Sequence, residues 1–337
     1  FDGGNTWQTG IQGVPDNWTN TCYWMEFDPA VKGRAWSAWS YKHDLPRDKM
    51  FRNGYTSPAG GIMTSTDAGR NWTNASSGLP SDFVATHIVL DEKSLSGNRT
   101  LYACGFRNGV YKSVNNGQTW QALAQVPGTN KNYWRLSLLP SGRLFVLVVR
   151  DWQNSKQVAG GLYRSDDGGS SWQAVSLPER VNFPNDLIYD PVDPNRLYLC
   201  AWPWMDVKGM ANGNYIVDEV GGGMVASDDG GVSWRRIFRE DAHAYAAALD
   251  PRDSNVILVN TFDSAAFRSE DRGVTWTRIK GYNFKWGYRP IFDPHHPGMI
   301  YLTTFGGGNH YGPAQGDPAA FEDISNFQLR WRWGDQF

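Results

Sequence analysis

Apolar and polar positions alternate in short runs along this chain, and the runs recur in a fixed order. Residues 186–237 show one round of it: "DLIYDP" alternates into a strand that stops at Asp190-Pro191, "NRLYLCAW" is a second strand, "GGMVASDDGG" a third, and "VSWRRI" a fourth. A period of two over runs this short predicts an antiparallel four-stranded meander. The same order appears at "WMEFDP", "RAWSAWS", "GGIMTSTDAG" and "NWTNA", and again at "HIVLDE", "RTLYACG", "GVYKSVNNG" and "TWQAL". It continues through "WRLSLLPSG" with "RLFVLVVR", "AYAAALDP" with "NVILVNTF", and "YRPIFDP" with "MIYLTTF".

The turn between third and fourth strands is itself a repeat. "STDAGRNW" (65–72), "SVNNGQTW" (113–120), "SDDGGSSW" (165–172), "SDDGGVSW" (227–234) and "SEDRGVTW" (269–276) share one spacing, and "FDGGNTW" at the start holds Asp2, Gly4, Thr6 and Trp7 at that same spacing. Asp and Gly adopt turn angles that bulky residues resist, and the Asp side chain bonds the backbone two or three residues on. The Trp then packs between sheets. These aspartates read as structural rather than catalytic.

Successive tryptophans of the turns lie 65, 48, 52, 62 and 42 residues apart, within or above the range of about 40–50 residues per four-stranded propeller blade. The excess is loop. The turns resemble the Asp boxes of sialidase, xyloglucanase and sortilin type β-propellers, Ser-x-Asp-x-Gly-x-Thr/Ser-Trp, and "IYLTTFGGG" is similar to xyloglucanase blades. The expected fold is therefore an all-β propeller of four-stranded antiparallel blades, one domain over 1–337, with six blades counted, seven possible, and the Asp boxes on one face. The strand around Trp7 is expected to close the blade begun at Tyr288. Residues 306–337 supply a last-blade strand, part of a seventh blade or a C-terminal extension. A chain that begins inside a motif also leaves room for an upstream domain or partner fragment.

Composition narrows the function. Acidic and basic residues number 34 and 32, for a net charge of −2, so no global field favours nucleic acid or an anionic membrane. No apolar run of about 18 residues offers a membrane span. Cys104 and Cys200 occupy equivalent positions of non-adjacent repeats, too far apart to bridge, and with Cys22 they read as small buried hydrophobes. Sequons begin at Asn17, Asn71, Asn74 and Asn98. There is no metal-ligand spacing of Cys and His, no HExxH, no GxSxG and no phosphate-binding loop. The sequence calls for no cofactor and leaves a structural cation open.

The chemistry is expected at the face opposite the boxes, where loops run from second to third strands and between blades. "SYKHDLPRDKMFRNGYTSP" holds His43, Asp44 and Arg47; "WPWMDVKGMANGNYIVDEV" holds Trp202, Trp204 and Asp206; "GYNFKWGYR" holds Lys285 and Arg289. Shorter loops add Arg107, Trp134, Arg150, Asp151 and Asp263, and His87 and His243 start inner strands. Trp and Tyr offer faces to sugar rings, and Asp and Arg bond hydroxyls or carboxylates, so the partner expected is a polysaccharide or oligosaccharide. The bland alternatives are packing for Trp202 and Trp204, and hydrogen-bonded core positions for His87 and His243.

The resemblance implies a secreted or periplasmic carbohydrate-active enzyme, first of all a glycoside hydrolase with two carboxylates drawn from Asp44, Asp151, Asp206 and Asp263. A lyase on a uronic-acid glycan would instead use His43 or His243 with Arg47, Arg107, Arg150 or Arg289. A propeller that only binds glycan or protein is the third reading. Neither the sialidase Arg-Ile-Pro signature nor the "TDVGG" segment of xyloglucanases is present, so no catalytic position carries over from those families.

Overall fold

A computed structural model describes residues 9–46, 59–153, 156–211, 214–262, 265–284 and 286–321, and gives the backbone alone within 204–219. The fold is all-β and of the propeller class. Five sheets have four antiparallel strands and the sixth has three, each a meander in chain order. The first sheet is Thr21–Phe27, Ala35–Ser40, Gly60–Ser65 and Thr73–Asn74. The sixth is Gly287–Phe292, Met299–Thr304 and Asn309–Pro313, so residues beyond 306 furnish its third strand. The strand expected around Trp7, and everything after Phe321, lie outside the described residues.

The chain divides into two compact units, residues 1–158 with 163–174, and residues 159–162 with 175–337. Each carries a run of three sheets, the boundary crossing the outer strands of the third. Within unit 1 the first strands of successive sheets pack side by side, as do those within unit 2. Apolar residues fill the space between neighbouring sheets: Trp36, Ile62, Phe83, Ile88, Leu101 and Trp120 form one such layer in unit 1. Val256, Leu258, Ile279, Phe292, Ile300 and Leu302 form one in unit 2.

The repeated turn closes in the way its residues dictate. Ser269 Oγ donates to Asp271 Oδ1 at 2.8 Å and accepts the Gly273 N–H at 2.7 Å; Asp271 in turn accepts the Thr275 N–H at 2.8 Å and its hydroxyl at 2.6 Å. Gly273 sits at φ +85°, which the turn requires. The Thr275 hydroxyl holds the Asp271 carboxyl down at about 2, and Ser171 does the same for Asp167. Carboxylates so committed do not exchange protons near neutral pH. The turn's Trp closes the neighbouring sheet: the Nε1–H of Trp72, Trp120, Trp172 and Trp276 donates to the carbonyls of Gly10, Ala75, Ala124 and Ile237 at 2.7–2.9 Å.

Two hairpins grow from second-to-third connections, Asp151–Gln153 with Lys156–Val158 and Trp204–Ala211 with Asn214–Val220. The second replaces an expected long loop. Asn212-Gly213 between its two arms is a strong hairpin signal in the sequence.

One irregularity recurs in all six first strands. The pairing register shifts near the strand start, between Cys22 and Trp24, Ala85 and His87, Pro184 and Asp186, Ala244 and Ala246, and Gly287 and Pro290; opposite Leu147 and Val148 it skips Trp134. Such a bulge inserts a residue and re-aims those after it. The inserted residues Tyr23, Thr86, Trp134, Asn185 and Tyr245 are all buried.

Candidate functional site

Antiparallel meanders put the second-to-third connections at the opposite end from the Ser–Asp–Gly turns, and in unit 1 several connections meet there. The path of residues 42–45 is set by Tyr23, whose hydroxyl donates to the Lys42 carbonyl at 2.8 Å and accepts the Leu45 N–H at 3.1 Å. Tyr23 is itself buried edge-on against Trp134, ring centres 5.5 Å apart. Lys42 is fully buried, and burial, then the neighbouring charge of Arg107, push its ammonium below the ordinary lysine range. The next two residues emerge: His43 Nδ1 lies 3.1 Å from Asp44 Oδ2, with side chains 39% and 40% exposed. Asp44 takes φ +61°, a left-handed angle that aspartate tolerates better than most residues.

Arg107 follows the second strand of the second sheet, also left-handed at φ +66°. Its N–H donates to the Lys131 carbonyl at 2.9 Å, its Nε to Asn132 Oδ1 at 3.3 Å, and its Nη2 to Asp151 Oδ1 at 3.3 Å. Asp151 is buried, and its other oxygen accepts the Gln153 amide at 3.0 Å. Gln153 also exchanges two hydrogen bonds with Thr129. A half-exposed guanidinium thus stands on a buried carboxylate, near enough to Lys42 for the two like charges to repel. Such a group can bind hydroxyls or anions, while the exposed imidazole and carboxyl can carry protons.

Deeper in unit 1 the bulges bring Trp24, His87 and Arg135 together. The rings of Trp24 and His87 are 4.2 Å apart, and Arg135 Cζ lies 5.2 Å from the rings of both Trp24 and Trp134. The Leu136 N–H points at His87 Nδ1 from 3.4 Å, which makes that nitrogen the acceptor. His87, Trp134 and Arg135 are all buried. Glu26, two residues past Trp24, accepts its indole N–H at 2.8 Å, and burial pushes the Glu26 carboxyl up to about 7.

In unit 2 the corresponding positions form an ion pair. Arg289 Nη2 donates to Asp186 Oδ1 at 2.7 Å, and the Ala247 N–H reaches Asp186 Oδ2 at 3.3 Å. His243 stacks on Trp202, ring centres 5.5 Å apart, inside a nest with Phe183, Tyr245 and Phe262.

The residues expected at the site therefore fall into three groups. Arg107 and Asp151 touch each other, and His43 and Asp44 stand exposed in the same unit. Half-buried Arg150 offers its backbone carbonyl to Asn132 Nδ2 at 3.1 Å. Trp134, Trp202 and His243 are buried, which is the packing alternative for Trp202 and His243, and Arg289 keeps part of its side chain exposed while it pairs with Asp186. Arg47, Asp263 and Lys285, and the side chains of Trp204 and Asp206, lie outside the described residues. Asn132, Gln153, Lys42 and Asp186 were not anticipated; a neutral amide carries no sequence signal beyond the "NKN" at 130–132 that precedes a strand.

The described residues contain no cluster of His, Cys, Asp and Glu able to hold a metal ion, and no helix long and apolar enough to cross a membrane. An open groove of about 430 Å3, lined by Ile279, Tyr282, Leu302, His310 and Tyr311, lies in unit 2.

No protein-family model matches the chain. It is 27% identical over 283 residues to a xyloglucanase of a Paenibacillus species, an alignment covering 73% of this chain and 26% of that protein. The chain thus spans about a quarter of that relative's length. Among solved structures it resembles a GH74 enzyme of Niastella koreensis, with a TM-score of 0.56, 18% identity and coverage of 88% of this chain and 43% of the other. It resembles equally, at TM-score 0.56 and 16% identity, PorZ of Porphyromonas gingivalis, a surface component of the type-IX secretion system, over 90% of this chain and 42% of that one. The chain is thus similar in sequence to part of a xyloglucanase and in fold to β-propellers. The two structural likenesses show fold alone, since the same blades serve an enzyme and a secretion component.

Proposed function

We propose that this chain is part of a secreted glycoside hydrolase that cleaves a plant-type β-glucan such as xyloglucan, and that its Ser–Asp–Gly–Trp turns are Asp boxes. The alignment with the Paenibacillus xyloglucanase carries this reading, because it runs through 283 residues and not one motif. The chemistry is assigned in this reading to the loop cluster of unit 1, where an exposed carboxyl and a half-exposed guanidinium occur together. Asp44, exposed and beside His43, is the proton-transferring carboxyl; Arg107, braced by Asp151, binds sugar hydroxyls.

The test is incubation of the purified chain with xyloglucan, other β-glucans and uronate-containing glycans, followed by reducing-end release and by absorbance of unsaturated sugars. New reducing ends from xyloglucan without absorbance are expected, and Asp44→Asn should lower the rate by about 10²-fold or more. Changing Asp151, Asp206 and Asp263 one at a time to Asn then identifies the second carboxylate. Full activity in all four variants would overturn the two-carboxylate reading, and an absorbing product would replace hydrolysis by elimination.

A further inference from the structure

Arg107 adopts a left-handed backbone that only its surroundings sustain, and its guanidinium is bonded by both Asp151 and Asn132. The Asp151 contact, one Nη2 donor to one oxygen at 3.3 Å, does not by itself fix the guanidinium plane as a bidentate pair would. The second point is Asn132 Oδ1 on Nε, at 3.3 Å. Asn132 is fully buried, and its own placement is over-determined. Its N–H donates to Asn130 Oδ1 at 3.0 Å, its carbonyl accepts the Val149 N–H at 3.0 Å, and its Nδ2 donates to the Arg150 carbonyl at 3.1 Å. One amide side chain therefore bonds the side chain of Arg107 and the backbone of Arg150, which follow second strands in two adjacent sheets.

We infer that Asn132 is a positioning residue for Arg107: it fixes the orientation in which that guanidinium meets the glycan, and so acts on substrate affinity through Arg107 and not on the reacting bond. This deepens, and rests on, the hydrolase reading of the same loop cluster. A buried amide suits the task better than a carboxylate, because it offers an acceptor to the guanidinium and a donor to the carbonyl without placing a second buried charge beside Asp151.

The test compares Asn132→Asp with Asn132→Leu in the full chain. The aspartate keeps an acceptor for Arg107 Nε and loses the donor to Arg150; the leucine loses both. A merely structural role predicts that both variants suffer alike. Positioning predicts that Asn132→Leu raises KM for xyloglucan by about 10-fold with kcat within about twofold, and that Asn132→Asp restores most of the affinity. The second readout needs no activity. The Arg107 Nε–H resonance in ¹⁵N NMR should be protected from exchange in the unsubstituted chain and in Asn132→Asp, and exposed in Asn132→Leu. Should Asn132→Leu fail to fold, Asn132→Ala, which also lacks the acceptor, takes its place with the same expectations for KM and for Nε–H exchange. Equal protection of the Nε–H in all three proteins, or equal loss of affinity in both Asn132 variants, overturns the inference. An unsubstituted chain inactive on every glycan refutes hydrolysis by this chain alone, while the NMR comparison still decides whether Asn132 positions Arg107.

Discussion

The Asp186–Arg289 pair offers a sharp test of how unit 2 is held together. Asp186, on the first strand of the fourth sheet, is buried, and the Arg289 guanidinium reaches it at 2.7 Å from the first strand of the sixth, 103 residues away. The first strand of the fifth sheet packs against both and offers Asp186 the Ala247 N–H. Replacing Arg289 by Met removes the strong donor and leaves a buried carboxylate with the Ala247 N–H at 3.3 Å. Breaking one side of a buried pair costs about 3–5 kcal/mol, a large part of the roughly 5–15 kcal/mol that stabilises a domain. At a urea slope of about 2 kcal/mol/M, the midpoint of unfolding should fall by about 2 M. The double variant Asp186→Asn, Arg289→Met lacks the stranded charge and should recover at least half of the loss, so the pair couples strongly in a double-mutant cycle. Urea unfolding followed by tryptophan fluorescence measures all four proteins. A midpoint shift below about 0.3 M for Arg289→Met, or a double variant as unstable as the sum of the singles, would refute the reasoning. Arg289 would then be available for the ligand-binding role that its position in a long loop had suggested.

Two other substitutions probe the interior. Burial raises the Glu26 carboxyl to about 7, so the folded state holds this proton more tightly than the unfolded chain, whose glutamates titrate near 4.5. Stability should therefore decline as pH rises from about 4.5 to about 7, by at most about 3 kcal/mol from this group, and level off above; Glu26→Gln should remove that part of the slope in melting temperatures measured across pH, and an unchanged slope would sink the assignment. Trp120, 3% exposed and bonded through Nε1 to the Ala75 carbonyl at 2.7 Å, should cost about 3–5 kcal/mol as Trp120→Ala. A loss under about 1 kcal/mol in urea unfolding would mean the turns do not clamp neighbouring sheets.

The blades were readable because everything that makes them is local. In the turn at 165–172 the Ser hydroxyl, the Asp carboxylate, the left-handed Gly and the following Ser lie within seven residues, and their hydrogen bonds close among themselves; Asn115 replaces the Asp, and Asn71 the Thr or Ser, in two sister turns. Alternation then supplies the strands, and the spacing of the tryptophans supplies their number. Even the hairpin at 204–220, taken for a loop, carried its signal in Asn212-Gly213.

The site was less readable because side-chain direction depends on register, and every first strand shifts register near its start. Alternation counted from the strand core assigns Trp134 and Arg135 to faces; one inserted residue buries both and stacks them on each other. The shift between Gly287 and Pro290 likewise spans Arg289, whose guanidinium pairs with Asp186. Loop residues escape this ambiguity only in part. The type of Arg107 marked it out, but its partners Asn132 and Asp151 lie 25 and 44 residues further on, in segments whose convergence is a property of sheet packing. What distinguishes the guanidinium of Arg107 from that of Arg289 is what lies around it. Arg107 rests on a buried carboxylate with 38% of its side chain exposed, whereas Arg289, on an equally buried carboxylate, keeps 15%. The first can still meet a ligand, and the second already serves as one half of a structural pair.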